Sequence, residues 1–79
     1  METEIPVRDI MTRPVITAYA ELDILSAAKK MGSANVGSLI IVSDNKPTGI
    51  LTERDLVKKV LAQGTDPRSL KVAEIMSSP

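Results

Sequence analysis

Thr52 and Asp55, in the stretch Gly49-Ile50-Leu51-Thr52-Glu53-Arg54-Asp55, are the residues of this chain whose types and spacing best suit chemistry. Two apolar β-formers, Ile50 and Leu51, lead into Thr52, and Leu56, Val57, Val60 and Leu61 continue at helical spacing. A strand that turns at once into a helix sets Thr52 and Asp55 beside the helix's first unpaired N–H groups. Those donors carry partial positive charge and suit a phosphate or a ribose. The same Thr-x-x-Asp spacing also spells a capping box, in which the Thr52 hydroxyl accepts the Asp55 N–H and the carboxylate reaches back. The two readings are compatible, because a cap can give way to a ligand that offers better partners.

Other chemistries are excluded by what the chain lacks. It has no Cys and no His, which removes disulfides, thiolate metal sites and the commonest general base. No glycine-rich phosphate loop with a Lys is present, no Ser has a base to serve it, and the acidic residues are scattered rather than paired. Enzymatic activity is therefore not expected. Ten basic and ten acidic residues cancel, and Tyr19 is the single aromatic, so neither a global field nor stacking platforms favour nucleic acid. Arg13, Lys29, Lys30, Lys58 and Lys59 would serve that purpose only by sharing one face. The apolar run Leu39-Ile40-Ile41-Val42 is too short to span a bilayer, and the acidic start Met-Glu-Thr-Glu-Ile-Pro is unlike a secretory signal. A cytoplasmic location is the expectation.

The elements that must position Thr52 and Asp55 follow from patterning. Residues 1–6 read as a lead-in closed by Pro6, and Val7-Arg8-Asp9-Ile10-Met11 as one helical turn ended by Thr12-Arg13-Pro14. Val15-Ile16-Thr17 reads as a short strand, and Ala18 to Leu22 is ambiguous. Asp23 predicts the N-cap of a helix to about Met31, with Ile24, Ala27, Ala28 and Met31 as its buried stripe and Gly32 as its stop. Ser33 to Gly37 is a loop into the strand Ser38–Val42, whose unbroken apolar run predicts cover on both faces. Ser43-Asp44-Asn45-Lys46 predicts a hairpin turn, and Pro47–Leu51 the returning arm. A helix from about Glu53 to Gln63, with Lys58 and Lys59 on its wet side, stops at Gly64. Residues 65–69 read as a linker.

A repeat adds a second signal. Val7-Arg8-Asp9-Ile10-Met11-Thr12-Arg13-Pro14 and Val72-Ala73-Glu74-Ile75-Met76-Ser77-Ser78-Pro79 share the pattern Val-x-acid-Ile-Met-hydroxyl-x-Pro, at an offset of 72 − 7 = 65 residues. Repeats imply stacking, because one unit does not cover its own apolar face. A chain of 79 residues buries only about 60% of its unfolded surface and gains from association. The organisation predicted is a lead-in over 1–6, one unit over 7–64, and a linker with the threshold of a second unit over 65–79.

Asp-Ile-Met-Thr-Arg-Pro-Val-Ile-Thr near the start, Gly-Ser-Leu-Ile-Ile-Val in the middle and Gly-Ile-Leu-Thr-Glu-Arg-Asp-Leu late resemble a cystathionine β-synthase (CBS) domain, in the right order over about residues 7–63. The resemblance implies an α+β fold: a β–α–β–β–α unit with a short N-terminal helical turn, a small three-stranded sheet and two packed helices. It implies that two motifs pair through their sheets as a Bateman module, with clefts that bind adenine nucleotides or related adenosyl compounds. Such modules are non-catalytic regulatory sensors.

Carried over residue by residue, the family's Gly-h-x-Thr/Ser-x-x-Asp pattern (h apolar) falls on Gly49 to Asp55. Asp55 would then accept from ribose hydroxyls, Thr52 and the helix N-terminus would face phosphates, and Arg54 would supply a cation for charge-assisted bonds. Arg54 at the second helical position is equally read as a solvated side chain. Ile16 and Thr17, with Val36, Gly37 and Ser38, match the segments lining the adenine pocket; alone they read as strand polar groups and a tight loop. No cofactor is required, and AMP, ADP, ATP or S-adenosylmethionine are the implied regulatory ligands. Because only one motif is complete, the expected partner is a second copy, as a homodimer or a higher oligomer. The alternatives are an assembly module with no ligand and a nucleic-acid-binding CBS protein.

Overall fold

The structure, a computed structural model, describes residues 15–78. The helical turn expected at Val7–Met11 lies outside them. Three strands, β1 (Thr17–Tyr19), β2 (Ser38–Ser43) and β3 (Lys46–Thr52), form one sheet in the order β1-β2-β3. The first pair is parallel and the second antiparallel. Helix α1 (Ile24–Ala34) makes the crossover from β1 to β2, and α2 (Glu53–Leu56) follows β3 and widens into a π turn over Val57–Leu61. A 3-10 turn (Pro67–Ser69) and a short helix α3 (Val72–Ile75) close the described chain. This is the expected α+β unit, with β1 starting two residues later than Val15.

Helix α1 begins where Asp23 predicts. Its carboxylate accepts from the Ser26 N–H at 2.9 Å and the Ser26 hydroxyl at 2.7 Å, which satisfies an otherwise orphan donor. Ile24, Ala27 and Met31 are buried, and Ala28 is half-buried. The helix does not stop at Gly32, however. It runs on to Ala34 and ends at Asn35 (φ 57°), where the Asn35 N–H donates to the Gly32 carbonyl and the Val36 N–H to that of Met31. Asn tolerates the left-handed conformation that such a stop requires. Val36 then packs on the core and fixes the exit direction.

The hairpin forms at the predicted turn. Asp44 (φ 52°) and Asn45 (φ 64°) are both left-handed, the conformation that lets a two-residue loop match strand twist. Pairing begins at Ser43↔Lys46 and Val42↔Pro47 and resumes at Ile41↔Gly49, so Thr48 is an unpaired bulge residue. Its hydroxyl donates to the Ile41 carbonyl at 3.3 Å.

Leu39, Ile41 and Leu51 on the sheet meet Ile24, Ala27, Met31, Val60, Val72 and Ile75 in one core. The other sheet face differs from expectation. Ile40 and Val42 are only half-buried, while Tyr19 and Ile50 are exposed. Strand β2 therefore alternates within this unit, and its outer row is apolar but not fully covered by the described residues.

Residues 65–78 also do more than link. Ile24 N–H donates to the Leu70 carbonyl at 2.9 Å and Val72 N–H to the Leu22 carbonyl at 2.8 Å. Val72 is fully buried and Ile75 nearly so. Further on, Ser77 exchanges two hydrogen bonds of 2.9 Å with Ile50 at the edge of β3.

Candidate functional site

One end of the sheet gathers the predicted site residues. Strands β1 and β2 start there and β3 ends there. Ser38 stands opposite Thr52, and the Glu53 N–H donates to the Gly37 carbonyl at 3.0 Å. Ile16 joins through its carbonyl, which accepts the Ile40 N–H at 3.0 Å, and Thr17 lies level with Ile40. Sheet register thus brings Ile16, Thr17, Val36, Gly37, Ser38, Thr52, Arg54 and Asp55 to one edge of the fold. Thr17, Gly37 and Arg54 are exposed there, and Val36, Ser38 and Thr52 half-buried.

The Thr52–Asp55 capping box is fully formed. The Thr52 hydroxyl accepts the Asp55 N–H at 3.1 Å, and Asp55 Oδ2 accepts from the Thr52 N–H at 3.0 Å and lies 3.1 Å from the Thr52 hydroxyl. Asp55 Oδ1 pairs with the Lys59 ammonium at 3.1 Å, one helical turn on. At 8% exposure Asp55 is the one buried polar or charged residue among those described. Its burial disfavours the charged form. The Thr52 N–H, the Lys59 ammonium and the Thr52 hydroxyl outweigh that penalty and hold the carboxyl below its ordinary value.

Two residues to which the sequence assigns no place in the site complete it. Lys59 is exposed, as expected of the wet side, and also bridges Asp55 at 3.1 Å and the Ile75 carbonyl at 3.0 Å. The i,i+4 spacing of Asp55 and Lys59 was the available signal. Lys58 is exposed, as expected. Glu53 is the other: a Cβ added at Gly37 would come within 2.9 Å of its Oε1. Glu53 also lines a cavity of about 300 Å³ together with Val36, Gly37, Met31, Asn35 and Leu56. Thr52, Arg54 and Asp55 are not among its lining residues, so the cavity adjoins the capping box rather than containing it.

Chemically, this edge offers hydroxyls, a carboxylate already holding three partners and the exposed Arg54 cation. Among the described residues no group of His, Cys, Asp or Glu could hold a metal, and no helix is long and apolar enough to cross a membrane.

Known proteins share both sequence and fold with this chain. An uncharacterised protein of Methanopyrus kandleri is 40% identical over 76 residues, 95% of this chain and 39% of that protein. The CBS domain-containing protein YhcV of Bacillus subtilis is 38% identical over 72 residues, 91% of this chain and 51% of its own length. The chain thus spans about half or less of these curated relatives. Among solved structures, a hexameric CBS-CP12 protein from bloom-forming cyanobacteria superposes with a TM-score of 0.80 at 35% identity, over 96% of this chain and 45% of that one. The CBS domain family itself matches residues 7–62. With the family's motifs, its three-stranded sheet and its strand-to-helix Thr-x-x-Asp turn all in place, the chain belongs to the CBS domain family, whose members are generally regulatory modules.

Proposed function

We propose that this chain is a non-catalytic, cytoplasmic ligand-sensing module that binds an adenine nucleotide or a related adenosyl compound in a cleft between paired motifs. The observation that carries the reading is the convergence of Ile16, Thr17, Val36–Ser38 and Thr52–Asp55 on one sheet edge, beside a cavity of about 300 Å³. In this reading the apolar side chains and backbone polar groups of Ile16–Thr17 and Val36–Ser38 take the base, and Asp55 takes the ribose hydroxyls. The exposed Arg54 takes phosphate through charge-assisted bonds. Glu53, an anion at the Gly37 end, disfavours phosphate there and orients the ligand with its base toward the cavity. Ligand that touches two motifs and prefers one arrangement shifts their relative placement, which is the sensing step.

Calorimetric titration with AMP, ADP, ATP and S-adenosylmethionine tests this. Arg54→Gln is expected to weaken a nucleotide roughly tenfold while leaving adenosine unchanged. Asp55→Asn, which keeps an acceptor for the cap, weakens both. No heat and no thermal shift for any of the four ligands at millimolar concentration would overturn the reading.

A second reading rests on the open sheet face, where Tyr19 (65% exposed), Ile40, Val42 and Ile50 form an apolar row. That row suits pairing with a second copy whether or not a ligand binds. Sedimentation that shows a dimer unaffected by nucleotide would favour assembly alone. Nucleic-acid binding would rest on Lys29, Lys30 and Lys58, since Lys59 is engaged by Asp55 and the Ile75 carbonyl.

A further inference from the structure

Among the described residues, Lys59 alone is bonded both to the capping box and to the segment 70–77. Its ammonium lies 3.1 Å from Asp55 Oδ1 and donates to the Ile75 carbonyl at 3.0 Å. Ile75 ends α3, and the last carbonyls of a helix have no partner within it. Lys59 supplies the donor that this one lacks. Lys59 itself stands in the π turn Val57–Leu61, where the Ala62 N–H donates to the Val57 carbonyl at 2.8 Å. Such widened turns are rare and recur at functional sites.

The segment is held in two halves, and the Lys59 bond falls between them. In the first half, main-chain bonds tie Leu70 to Ile24, Val72 to Leu22 and Ala73 to Ala20, and the Val72 side chain is fully buried. In the second, Met76 lies over Gly49, where an added Cβ would meet its Sδ at 2.8 Å, and Ser77 pairs with Ile50. Met76 is only half-buried and Ser77 exposed. Loss of the Lys59 bond is therefore felt by the second half.

The acceptor capacity of Asp55 decides when that bond is lost. An ionised carboxylate offers about four acceptor sites. The Thr52 N–H and hydroxyl occupy Oδ2, and Lys59 occupies Oδ1. A ribose that donates both its hydroxyls brings more donors than the remaining capacity takes, so a present partner has to leave. Freeing the Thr52 N–H strands a main-chain donor at the turn from β3 to α2. The Thr52 hydroxyl is held from its other side by the Asp55 N–H at 3.1 Å. The Lys59 side chain is 46% exposed and passes into water at little cost.

We infer that Lys59 is a positioning residue that couples the site to the segment 70–77. When ribose hydroxyls take Asp55, Lys59 leaves it and releases the Ile75 carbonyl, and Met76 and Ser77 loosen from β3. The inference rests on the proposed function in one respect, that Asp55 receives the ribose. Lys59 then competes with the ligand for Asp55, so deleting it favours binding. A lysine that served phosphate, or the fold alone, would have the opposite effect or none. The coupling is reciprocal: whatever loosens Met76 and Ser77 also favours the ligand.

The test uses the full-length chain and adenosine, which carries no phosphate. Calorimetry should show Lys59→Met binding adenosine roughly fivefold more tightly than the parent, the scale of one partly exposed ion pair. In NMR spectra of the parent, adenosine should move the Met76 and Ser77 amide signals toward the frequencies they hold in ligand-free Lys59→Met, and leave them in place in that variant. Asp55→Asn keeps an acceptor for the cap and removes the charge that holds Lys59. It should move the same two signals with no ligand present, but not in the Lys59→Met background. Equal or weaker adenosine binding by Lys59→Met overturns the inference. So do Met76 and Ser77 signals that stand still while those of Gly37 and Thr52 respond to adenosine; in both cases the ligand reading survives. Adenosine binding to neither chain is a failure of the ligand reading instead, and Met76 and Ser77 signals unmoved by Asp55→Asn are then the failure of the link itself. Should Lys59→Met not fold, the response of the parent to adenosine and to Asp55→Asn decides.

Discussion

Removing the Asp55 side chain separates what the cap contributes to stability from what Lys59 contributes. Asp55→Ala deletes the acceptor for the Thr52 N–H at 3.0 Å and for the Thr52 hydroxyl, leaving a main-chain donor without its partner where β3 becomes α2. A lost cap costs about 1 kcal/mol, and a hydrogen bond to a charged acceptor contributes about 1.5–3 kcal/mol. The ion pair adds less. Lys59 is 46% exposed, which puts the pair near ~0.3–0.5 kcal/mol for an i,i+4 contact in solvent. Asp55→Ala should therefore destabilise by about 2–3 kcal/mol. Lys59→Met, which also gives up the bond to the Ile75 carbonyl, should cost about 1 kcal/mol. Urea unfolding of the two single variants and the double variant yields the coupling between them, expected at about 0.5 kcal/mol. A loss below about 1 kcal/mol for Asp55→Ala would refute the cap's role. A coupling above about 2 kcal/mol would show the ion pair, not the cap, to dominate.

Two further outcomes follow from the same geometry. Because the Asp55 carboxyl is held below its ordinary value, its contribution is complete above the unfolded value of about 4 and is lost as pH falls through the folded one. Urea midpoints measured from about pH 5 to pH 3 should fall less steeply in Asp55→Asn; equal slopes would contradict the assignment. Asp23, also lowered by its bonds to the Ser26 hydroxyl and N–H, leaves a residual slope in both. At the end of α1, Asn35 holds a φ of 57°, so Asn35→Ala should cost about 1–2 kcal/mol and Asn35→Gly nearly nothing. Thermal unfolding of the two variants checks that order.

Much of this was legible in the chain. Asp23 as a cap, the Asp44-Asn45 turn and the Thr52–Asp55 box are all local chemistry, written within a few consecutive residues, and each forms where the sequence places it. What was not legible depended on tertiary context. Gly32 is an ordinary helix stop, yet α1 continues because Val36 has core to pack against only after one more turn. Lys59 is solvated as its pattern says, but its second partner, the Ile75 carbonyl, lies 16 residues away in sequence and had no local signal. The apolar run of β2 suggested cover on both faces, whereas one unit supplies only half of it. The pattern at Val72–Pro79 announced a new unit without showing that most of it packs into the old one.

The bulge at Thr48 has an arithmetic consequence for the site. Counting from Ser43↔Lys46 with no residue skipped, Ser38 would face Leu51 and Leu39 would face Ile50. Alternate residues of a strand point to opposite sides. Leu51 would then exchange sides with Ile50, putting a β-branched side chain where the core holds Leu51. Thr52 would arrive at the helix with its hydroxyl on the wrong side of the strand. One supernumerary residue, at the far end of the hairpin from the capping box, sets the parity that aims Thr52.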